Sequence, residues 1–290
     1  MPDMPFDDRD GMIWINEEFI PWRDAKIHFL THSLHYGGAI FEGIRVYDSK
    51  AFKLKEHNER LLGSCNIMDI TSPYSLEEIN SACLEAIKIN EIKNGYIRPL
   101  IWRGAEEMGI GAKNTKTHCG IAAWEWPNFF GDKAKREGIS LKTSSWKKAS
   151  PDSVPCHAKV SGLYAVATLT KHAAAKAGYD DTLMLDYRGY IAEASSCNFF
   201  FVKDGELHTA IPDCFLNGIT RQTVIEIAKE KNIVVNERQI MPEELKDADE
   251  CFVTGTAVEI TPVNKIDERE YEVGSITQEL INTYDKLVKK

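Results

Sequence analysis

The sequence lacks the motifs of three common enzyme classes. No G-x-G-x-x-G follows a strand-like run, and neither G-x-x-x-x-G-K-[ST] nor G-x-S-x-G occurs. The first two motifs bind dinucleotides and nucleoside triphosphates, and the third carries the nucleophilic serine of many hydrolases. Their absence argues against all three classes.

Patterns of disulfides and metal sites are missing as well. The chain has 7 cysteines, an odd number without a C-x-x-C pair. We interpret them as reduced thiols that mostly pack in the interior. His28, His32 and His35 lie close together, but no second cluster has the spacing of a metal site. We therefore expect no metal.

Positive charge and long apolar runs are also scarce. The net charge is -9 and no Lys/Arg patch is interleaved with aromatic residues, which argues against nucleic acid as a partner. No run approaches the roughly 18 apolar residues of a membrane span. The acidic residues 1–11 do not resemble a secretory signal. We expect a cytoplasmic protein that acts on small molecules.

The chain is long enough for about two domains. It has 290 residues, of which 43% are hydrophobic, and its strand and helix patterns alternate. We predict the α/β (α+β) class, with a small N-terminal domain over residues 1–126 and a larger C-terminal domain over 139–290. Residues 127–138 mix Pro, Gly and charge without periodicity and are interpreted as the linker. A ligand site in the interdomain cleft is the first expectation.

Several elements have clear local signals. Residues 39–54 predict a hairpin that turns near Asp48–Lys50. Helical spacing of apolar residues predicts a helix over 55–68. A second helix begins at Ser75, because Glu78 three residues later completes a capping box.

Two segments could bind a phosphate. Gly218–Arg221 precedes an amphipathic helix whose free N–H groups would attract an anion, with Thr220 as a good N-cap. Thr254–Ala257 follows a strand, and small residues in such a turn can form an anion-binding nest. Periodicity alone favours the alternative interpretation, that both segments are ordinary caps and turns.

Three further side chains have open interpretations. Tyr96 and Arg98 share one face of a predicted strand, where they could hold a carboxylate or form a surface pair. Arg60 shares a helix face with His57, and a solvated face is the expectation for both. The residues alone indicate a two-domain α/β protein that could bind a phosphate and a carboxylate.

From Glu193 onward the sequence resembles the class IV (fold type IV) aminotransferases, which use pyridoxal 5'-phosphate (PLP). The resemblance rests on the segments EASSCNFF (193–200), LHT (207–209) and LNGITR (216–221). Within that class the chain is similar to branched-chain aminotransferases. The motifs shared in order are HYG (35–37), FEGIR (41–45), YIRP (96–99), MGI (108–110) and GTAVEITP (255–262).

The resemblance implies a role for residues that no local pattern marks. Lys159 would form a Schiff base with PLP and act as the general base and acid. Glu193 would pair with the pyridine nitrogen, and Tyr164 with the phenolic oxygen. The implied phosphate ligands are Arg60, Thr220, Thr256 and the backbone at Ile219 and Ala257.

The resemblance also implies the substrates: L-leucine, isoleucine or valine, with 2-oxoglutarate as amino acceptor. Tyr96 and Ala257 would receive the α-carboxylate, and Arg98 the γ-carboxylate of glutamate. An apolar side-chain pocket is implied for Tyr36, Phe41, Ile110, Trp126 and Tyr164. Tyr36 and Ile110 would come from a second subunit, so a homodimer or a higher homo-oligomer is expected.

Some positions depart from the branched-chain pattern. Residues 194–197 are Ala-Ser-Ser-Cys where Gly-x-Gly-Glu is usual, Leu163 replaces an Asn, and Phe129 stands where Tyr is common. Ser-Ser before Asn198 is closer to the D-amino-acid branch. The alternative is therefore a D-amino acid or (R)-amine transaminase of the same fold, followed by an aminodeoxychorismate lyase-like enzyme.

Overall fold

The computed structural model describes residues 5–126 and 131–289, without the side chain of Asp132. The chain divides into two compact units. The first comprises Met1–Pro127 together with Ala158–Leu163, and the second comprises Asn128–His157 together with Tyr164–Lys290. Both mix helices and strands, so the predicted α/β class is confirmed. Within the described ranges, no helix has the length and apolar character needed to cross a bilayer.

The first unit contains an antiparallel sheet and two long helices. Its strands are β1 (Met12–Ile15), β2 (Glu18–Pro21), β3 (Ile40–Phe41), β4 (Ile44–Tyr47), β5 (Lys50–Ala51), β6 (Gly95–Arg103) and β7 (Thr117–Glu125). Its helices are α1 (His32–Tyr36), α2 (Leu54–Ile67) and α3 (Leu76–Ile89). The strand order is β2-β1-β7-β6-β4-β5, and β3 pairs with β6.

The predicted helices and hairpin of this unit are confirmed. Ser75 Oγ accepts a hydrogen bond from the Glu78 amide at 3.3 Å, and the Glu78 carboxylate accepts one from the Ser75 amide at 2.7 Å. These bonds form the capping box that begins α3. The apolar face of α3 then packs with α2 and the sheet in one core. Its fully buried members include Ile79, Leu61 and Ile97.

A short segment from later in the chain completes the first unit. Val160 forms a β-bridge with Ile40, and both belong to the core around α2 and α3. The Ser161 amide donates to the Ala39 carbonyl at 2.8 Å, and the Gly162 amide donates to the Gly37 carbonyl at 2.8 Å. These bonds attach residues 158–163 to the sheet region that ends at β3.

The described residues of the second unit form nine strands, which are β8 (Ile139–Thr143), β9 (Asp181–Leu185), β10 (Ile191–Ala194), β11 (Asn198–Lys203), β12 (Glu206–Ala210), β13 (Val235–Arg238), β14 (Glu250–Gly255), β15 (Glu259–Ile266) and β16 (Arg269–Glu270). Its helices are α4 (Gly131–Glu137), α5 (Tyr164–Lys176), α6 (Ile219–Glu230) and α7 (Ser275–Leu287). Part of the predicted linker, and Phe129 with it, lies outside the described residues, while Gly131–Glu137 is helical.

The sheet of the second unit closes on itself. Its path runs β10-β9-β8-β15-β14-β11-β12-β13, and β10 also pairs with β11. The ring of strands encloses a core that includes Leu141, Phe199, Phe201 and Val253. The residues that the sequence singled out in this unit lie on β10 and the turn after it, on the turn after β14, and at the N-termini of α5 and α6.

Candidate active site

Glu42 is the centre of a buried charge cluster in the first unit. It follows β3, and its side chain is 0% exposed. Arg60 donates from Nε to Oε1 at 2.6 Å and from Nη2 to Oε2 at 2.9 Å. His57 Nδ1 lies 2.7 Å from Oε2. The bidentate guanidinium fixes the direction of the Arg60 side chain.

The protonation states follow from burial and charge. Burial alone would raise the pKa of Glu42, but Arg60 and His57 outweigh it and hold that pKa well below its ordinary value. Burial lowers the pKa of His57, and the charges of Arg60 and Lys159 lower it further. His57 is therefore neutral, and its Nδ1 hydrogen points to the carboxylate because an ionised carboxylate only accepts.

The same face of α2 also holds the segment that carries Lys159. His57, Arg60 and Ser64 follow the helical spacing that places side chains on one face. Ser64 Oγ accepts a hydrogen bond from the Lys159 amide at 3.0 Å. The expectation that His57 and Arg60 form a solvated face is thus wrong, because this face of α2 is directed at Glu42 and at residues 158–163.

Phe41 connects Lys159 with the predicted substrate residues of the first unit. The Phe41 amide donates to the Lys159 carbonyl at 3.1 Å, and Lys159 Nζ lies 4.8 Å from the centroid of the Phe41 ring. The Arg98 guanidinium lies 4.8 Å from the same ring and 5.4 Å from that of Tyr96. Tyr96 in turn meets Trp126 edge to face at 4.8 Å.

The backbone at Gly43 lies in close contact with the Tyr96 ring of these aromatic residues. A β-carbon at Gly43 would collide with the Tyr96 hydroxyl, so only glycine leaves the phenol in place. Three aromatic rings and one guanidinium therefore form a group beside Lys159, here called the aromatic group: Phe41, Tyr96, Trp126 and Arg98.

Tyr36 and Ile110 lie elsewhere on the first unit. His32 connects their two segments: the Tyr36 ring lies 4.6 Å from the His32 ring, and His32 Nε2 lies 3.0 Å from the Gly109 carbonyl. Their side chains are exposed, at 45% for Tyr36 and 85% for Ile110. The structure thus brings α1 and the 108–110 loop together.

In the second unit, Glu193 is held by Lys148 and Asn198. It lies on β10 and is buried. Lys148 Nζ lies 2.6 Å from Oε1, and Asn198 Nδ2 donates to Oε2 at 3.2 Å. Asn198 is the cross-strand partner of Glu193 on β11. The two contacts fix the direction of the carboxylate, as a partner for a positively charged ring nitrogen would need.

Asn198 also joins Glu193 to the N-terminus of α6. Its Oδ1 accepts a hydrogen bond from the Gly218 amide at 3.1 Å, and its Nδ2 donates to the Leu216 carbonyl at 3.0 Å. The helix begins at Ile219 with Gly218 as N-cap. The prediction that Thr220 caps it is wrong, because Thr220 lies in the first turn and is buried.

The turn between β14 and β15 lies next to this assembly. It carries Thr256 and Ala257, which are partly exposed. A β-carbon at Gly255 would lie 3.4 Å from Cys197 Sγ, on the turn that follows Glu193. The first turn of α6 and the Gly255–Ala257 turn are thus both positioned by the β10–β11 hairpin. Free N–H groups at such positions can bind a phosphate.

Tyr164 begins α5 and is partly exposed. Its phenol interacts electrostatically with Lys148, so it lies in the environment of the Lys148–Glu193 pair. Lys159 and Tyr164 are five positions apart in the chain and belong to different units.

Sequence reasoning missed Glu42 and Lys148 and assigned no role to Asn198. The signal for Glu42 was available, since a charge inside the apolar run AIFEGI requires a partner if the run is buried. Lys148 had no such signal, because it is one of two adjacent lysines in the segment SSWKKAS. All 7 cysteines are buried and free, which confirms their interpretation as packing thiols.

The chain belongs to the class IV aminotransferases. A sequence model of the amino-transferase class IV family matches residues 39–266. The probable branched-chain-amino-acid aminotransferase of Rickettsia felis is 44% identical over 283 residues, which cover 96% of each chain. The branched-chain-amino-acid aminotransferase of Escherichia coli K12 is 41% identical over 261 residues, 88% of this chain and 84% of the relative.

Solved structures agree with this assignment. The T.th. branched-chain amino acid aminotransferase with pyridoxamine 5'-phosphate has a TM-score of 0.93 and 39% identity, over 97% of this chain and 95% of its own. The Escherichia coli branched-chain amino acid aminotransferase has a TM-score of 0.92 and 38% identity, with the same coverage. The resemblance stated from the sequence and the fold type that it implied are confirmed.

Proposed function

We propose that this chain catalyses PLP-dependent transamination between L-branched-chain amino acids and 2-oxoglutarate, and releases branched 2-oxo acids and L-glutamate. The observation that carries the proposal is its set of charged groups. The Lys159 amine and the Arg60 guanidinium both act on His57, and the fixed carboxylate of Glu193 is joined through Asn198 to a helix N-terminus. Relatives at 41–44% identity carry the branched-chain aminotransferase name.

The residues present fit PLP by the chemistry of their donors. Each polar group of PLP has a counterpart of suitable charge: Lys159 for the aldehyde, Arg60 and the first turn of α6 for the phosphate, and Glu193 for the ring nitrogen. Asn198 hydrogen-bonds both Glu193 and Gly218. One side chain therefore positions both the carboxylate for the ring nitrogen and the helix N-terminus for the phosphate. Thr256 and the Ile219 amide would complete the phosphate contacts.

Bound PLP supplies an electron sink that stabilises negative charge on the substrate Cα. Binding of the cofactor and proton transfer are assigned to residues of this chain. Lys159 would anchor the cofactor, and its amine would act as the base and acid that moves the proton of the substrate Cα. Glu193 would hold a proton on the ring nitrogen, and Tyr164 would donate a hydrogen bond to the phenolic oxygen.

Substrate recognition is proposed for the aromatic group of the first unit. Phe41 and Trp126 would surround a branched side chain, while Tyr96 and Ala257 would receive the α-carboxylate. Arg98 would bind the γ-carboxylate of glutamate or 2-oxoglutarate. Its Nε is buried and has no hydrogen-bond partner among the described residues, so a carboxylate ligand would satisfy a costly polar group.

The Arg98 role gives a differential prediction. Arg98→Ala should lower kcat/KM for glutamate by about 10²-fold, since a charge-assisted pair contributes about 2–3 kcal/mol. For leucine the loss should stay below about 10-fold, because leucine has no second carboxylate. Steady-state kinetics with both donors measures the ratio. Equal losses would contradict a γ-carboxylate site.

We also propose a cytoplasmic homodimer in which Tyr36 and Ile110 complete the partner's substrate pocket. The support is their exposure together with the apolar side chains Phe29, Leu34 and Met108 on the same unit, at 76%, 60% and 47%. Exposed apolar residues in such density are typical of an interaction surface.

An amino-donor panel with 2-oxoglutarate tests the proposed function. L-leucine, L-isoleucine and L-valine should give glutamate, whereas D-alanine, D-leucine and (R)-1-phenylethylamine should not. Turnover confined to the D-amino acids or the (R)-amine would favour the alternative that Ala194–Cys197 suggests. Purified protein that takes up no PLP would contradict every transaminase function.

A further inference from the structure

We propose that Lys148 is a positioning residue that acts on the cofactor through Glu193: its ammonium holds the carboxylate in place and lowers the proton affinity of the bound cofactor. This inference rests on the proposed function, in which Glu193 faces the ring nitrogen. It assigns a role to a lysine that no motif marks.

The first support is geometric. Lys148 Nζ lies 2.6 Å from Glu193 Oε1, and the two side chains are 20% and 10% exposed. The Lys148 backbone is fixed as well, because its amide donates to the Leu185 carbonyl at 2.8 Å and it forms a β-bridge with Asp186. The backbone that carries the ammonium is therefore anchored at the end of β9.

The second support is that the two oxygens of the Glu193 carboxylate bind different side chains. Oε1 is bound by Lys148 and Oε2 by Asn198. A carboxylate has about four acceptor positions, so both contacts are compatible with a further N–H from the ring. Asn198 supplies direction without charge, whereas Lys148 supplies direction and a full positive charge.

Other titratable groups surround the pair, among them Lys171 and Asp181, which lie 3.2 Å apart as an ion pair and both act on Cys197. Tyr164 and Cys214 act on Lys148, and Cys197 lies near Glu193. Burial raises the pKa of Cys197 and that of Cys214 to about 12, so neither thiol is charged at neutral pH. Burial would lower the pKa of Lys148, but Glu193 outweighs it and the pKa is raised. Lys148 is therefore cationic.

The charge has a consequence with a definite sign. A cation close to the cofactor disfavours a proton on it. Without Lys148, its ammonium no longer offsets the negative charge of Glu193. The pH at which the Lys159 nitrogen loses its proton should therefore rise. Loss of one nearby charge in a protein interior is expected to shift the titration midpoint by about one pH unit.

The test compares Lys148→Met with Lys148→Arg and with Lys147→Met, which removes the exposed neighbour. Each holoenzyme is saturated with PLP, and its visible absorption is titrated with pH. We expect a midpoint about one unit above wild type for K148M, and midpoints near wild type for K148R and K147M. If the wild-type band does not titrate, the pH profile of kcat/KM for leucine supplies the midpoint.

A second measurement needs no cofactor. In PLP-free K148M a buried Glu193 lacks the Lys148 ammonium, so the melting temperature at pH 8 should fall by roughly 5–10 °C. Burial of a carboxylate costs less once it takes up a proton, so the difference in melting temperature between K148M and wild type should be smaller at pH 5 than at pH 8. This comparison stands even if K148M binds PLP poorly, and K148Q replaces K148M if that variant does not fold.

The outcomes separate the two proposals. A wild-type protein that develops no visible band with PLP would contradict the proposed function. A normal wild-type band with an unchanged or lowered midpoint in K148M would overturn the role of Lys148. A K148R midpoint shifted as far as that of K148M would overturn it too, because packing and not charge would then be responsible.

Discussion

Replacement of Lys159 by alanine is expected to abolish transamination, with a loss of at least about 10⁴-fold in kcat with leucine. The variant would lose both the covalent anchor of the cofactor and the base that moves the proton. Arg60, Glu193 and the first turn of α6 would remain, so PLP should still bind, but reversibly. Borohydride reduction followed by peptide mass mapping should label the wild-type chain at Lys159 and leave K159A unlabelled.

The matched control is Lys133→Ala, which removes an exposed lysine of the second unit, 78% exposed in its side chain. It should keep wild-type turnover and labelling. Since Lys159 also contacts Phe41 and Ser64 through its backbone, circular dichroism should confirm that K159A is folded. Labelling of any other lysine in the wild type would show that the anchor is misassigned.

Replacement of Glu42 by glutamine should lower the free energy of unfolding by about 3 kcal/mol or more, because it leaves the Arg60 guanidinium without its buried carboxylate. Arg60 would also lose the bidentate partner that directs it, so the affinity for PLP should fall. Urea unfolding of the PLP-free protein measures the first effect, and fluorescence titration with PLP measures the second.

The pH of the comparison follows from the sign of the shift. The pKa of Glu42 is held below its ordinary value of 4.5, so its stabilisation is present above that pH and is lost as the pH falls below it. Measurements at pH 7 to 8 therefore record the full effect. Glu59→Gln on the exposed face of α2 is the control, since its pair with Lys55 is solvated and should contribute less than about 1 kcal/mol.

An unchanged stability in E42Q, or a loss equal to that of the Glu59 variant, would contradict the central place of Glu42. Retained stability with weakened PLP binding would restrict its role to the orientation of Arg60.

The elements with local signals were predictable from the sequence. The capping box at Ser75 and Glu78 and the apolar spacing of α2 and α3 depend on neighbours within a few residues, and all were found. The hairpin that turns near Asp48–Lys50 was predictable for the same reason, because its turn depends on adjacent residues. The roles expected of Lys159 and Glu193 came from the family signature, because no local property of either residue distinguishes it.

The remainder depended on partners distant in sequence. Whether His57 faces water or a buried carboxylate is decided by Glu42, which is 15 positions away. The pairing of Lys148 with Glu193 is set by the register of β10 and the sheet position of residue 148. Periodicity describes one element at a time, so it could not show that one face of α2 meets the segment of Lys159.

That segment has a consequence for how the protein is made. Residues 158–163 belong to the first unit, but the chain first supplies β8 to the second unit. When a ribosome has released only residues 1–126, Val160, which forms the β-bridge with Ile40, and Lys159 have not yet emerged from it. The first unit can be completed only after the second has begun, so no single cut in the chain separates two finished domains, and a fragment ending at residue 126 would lack both a bridge partner and its lysine.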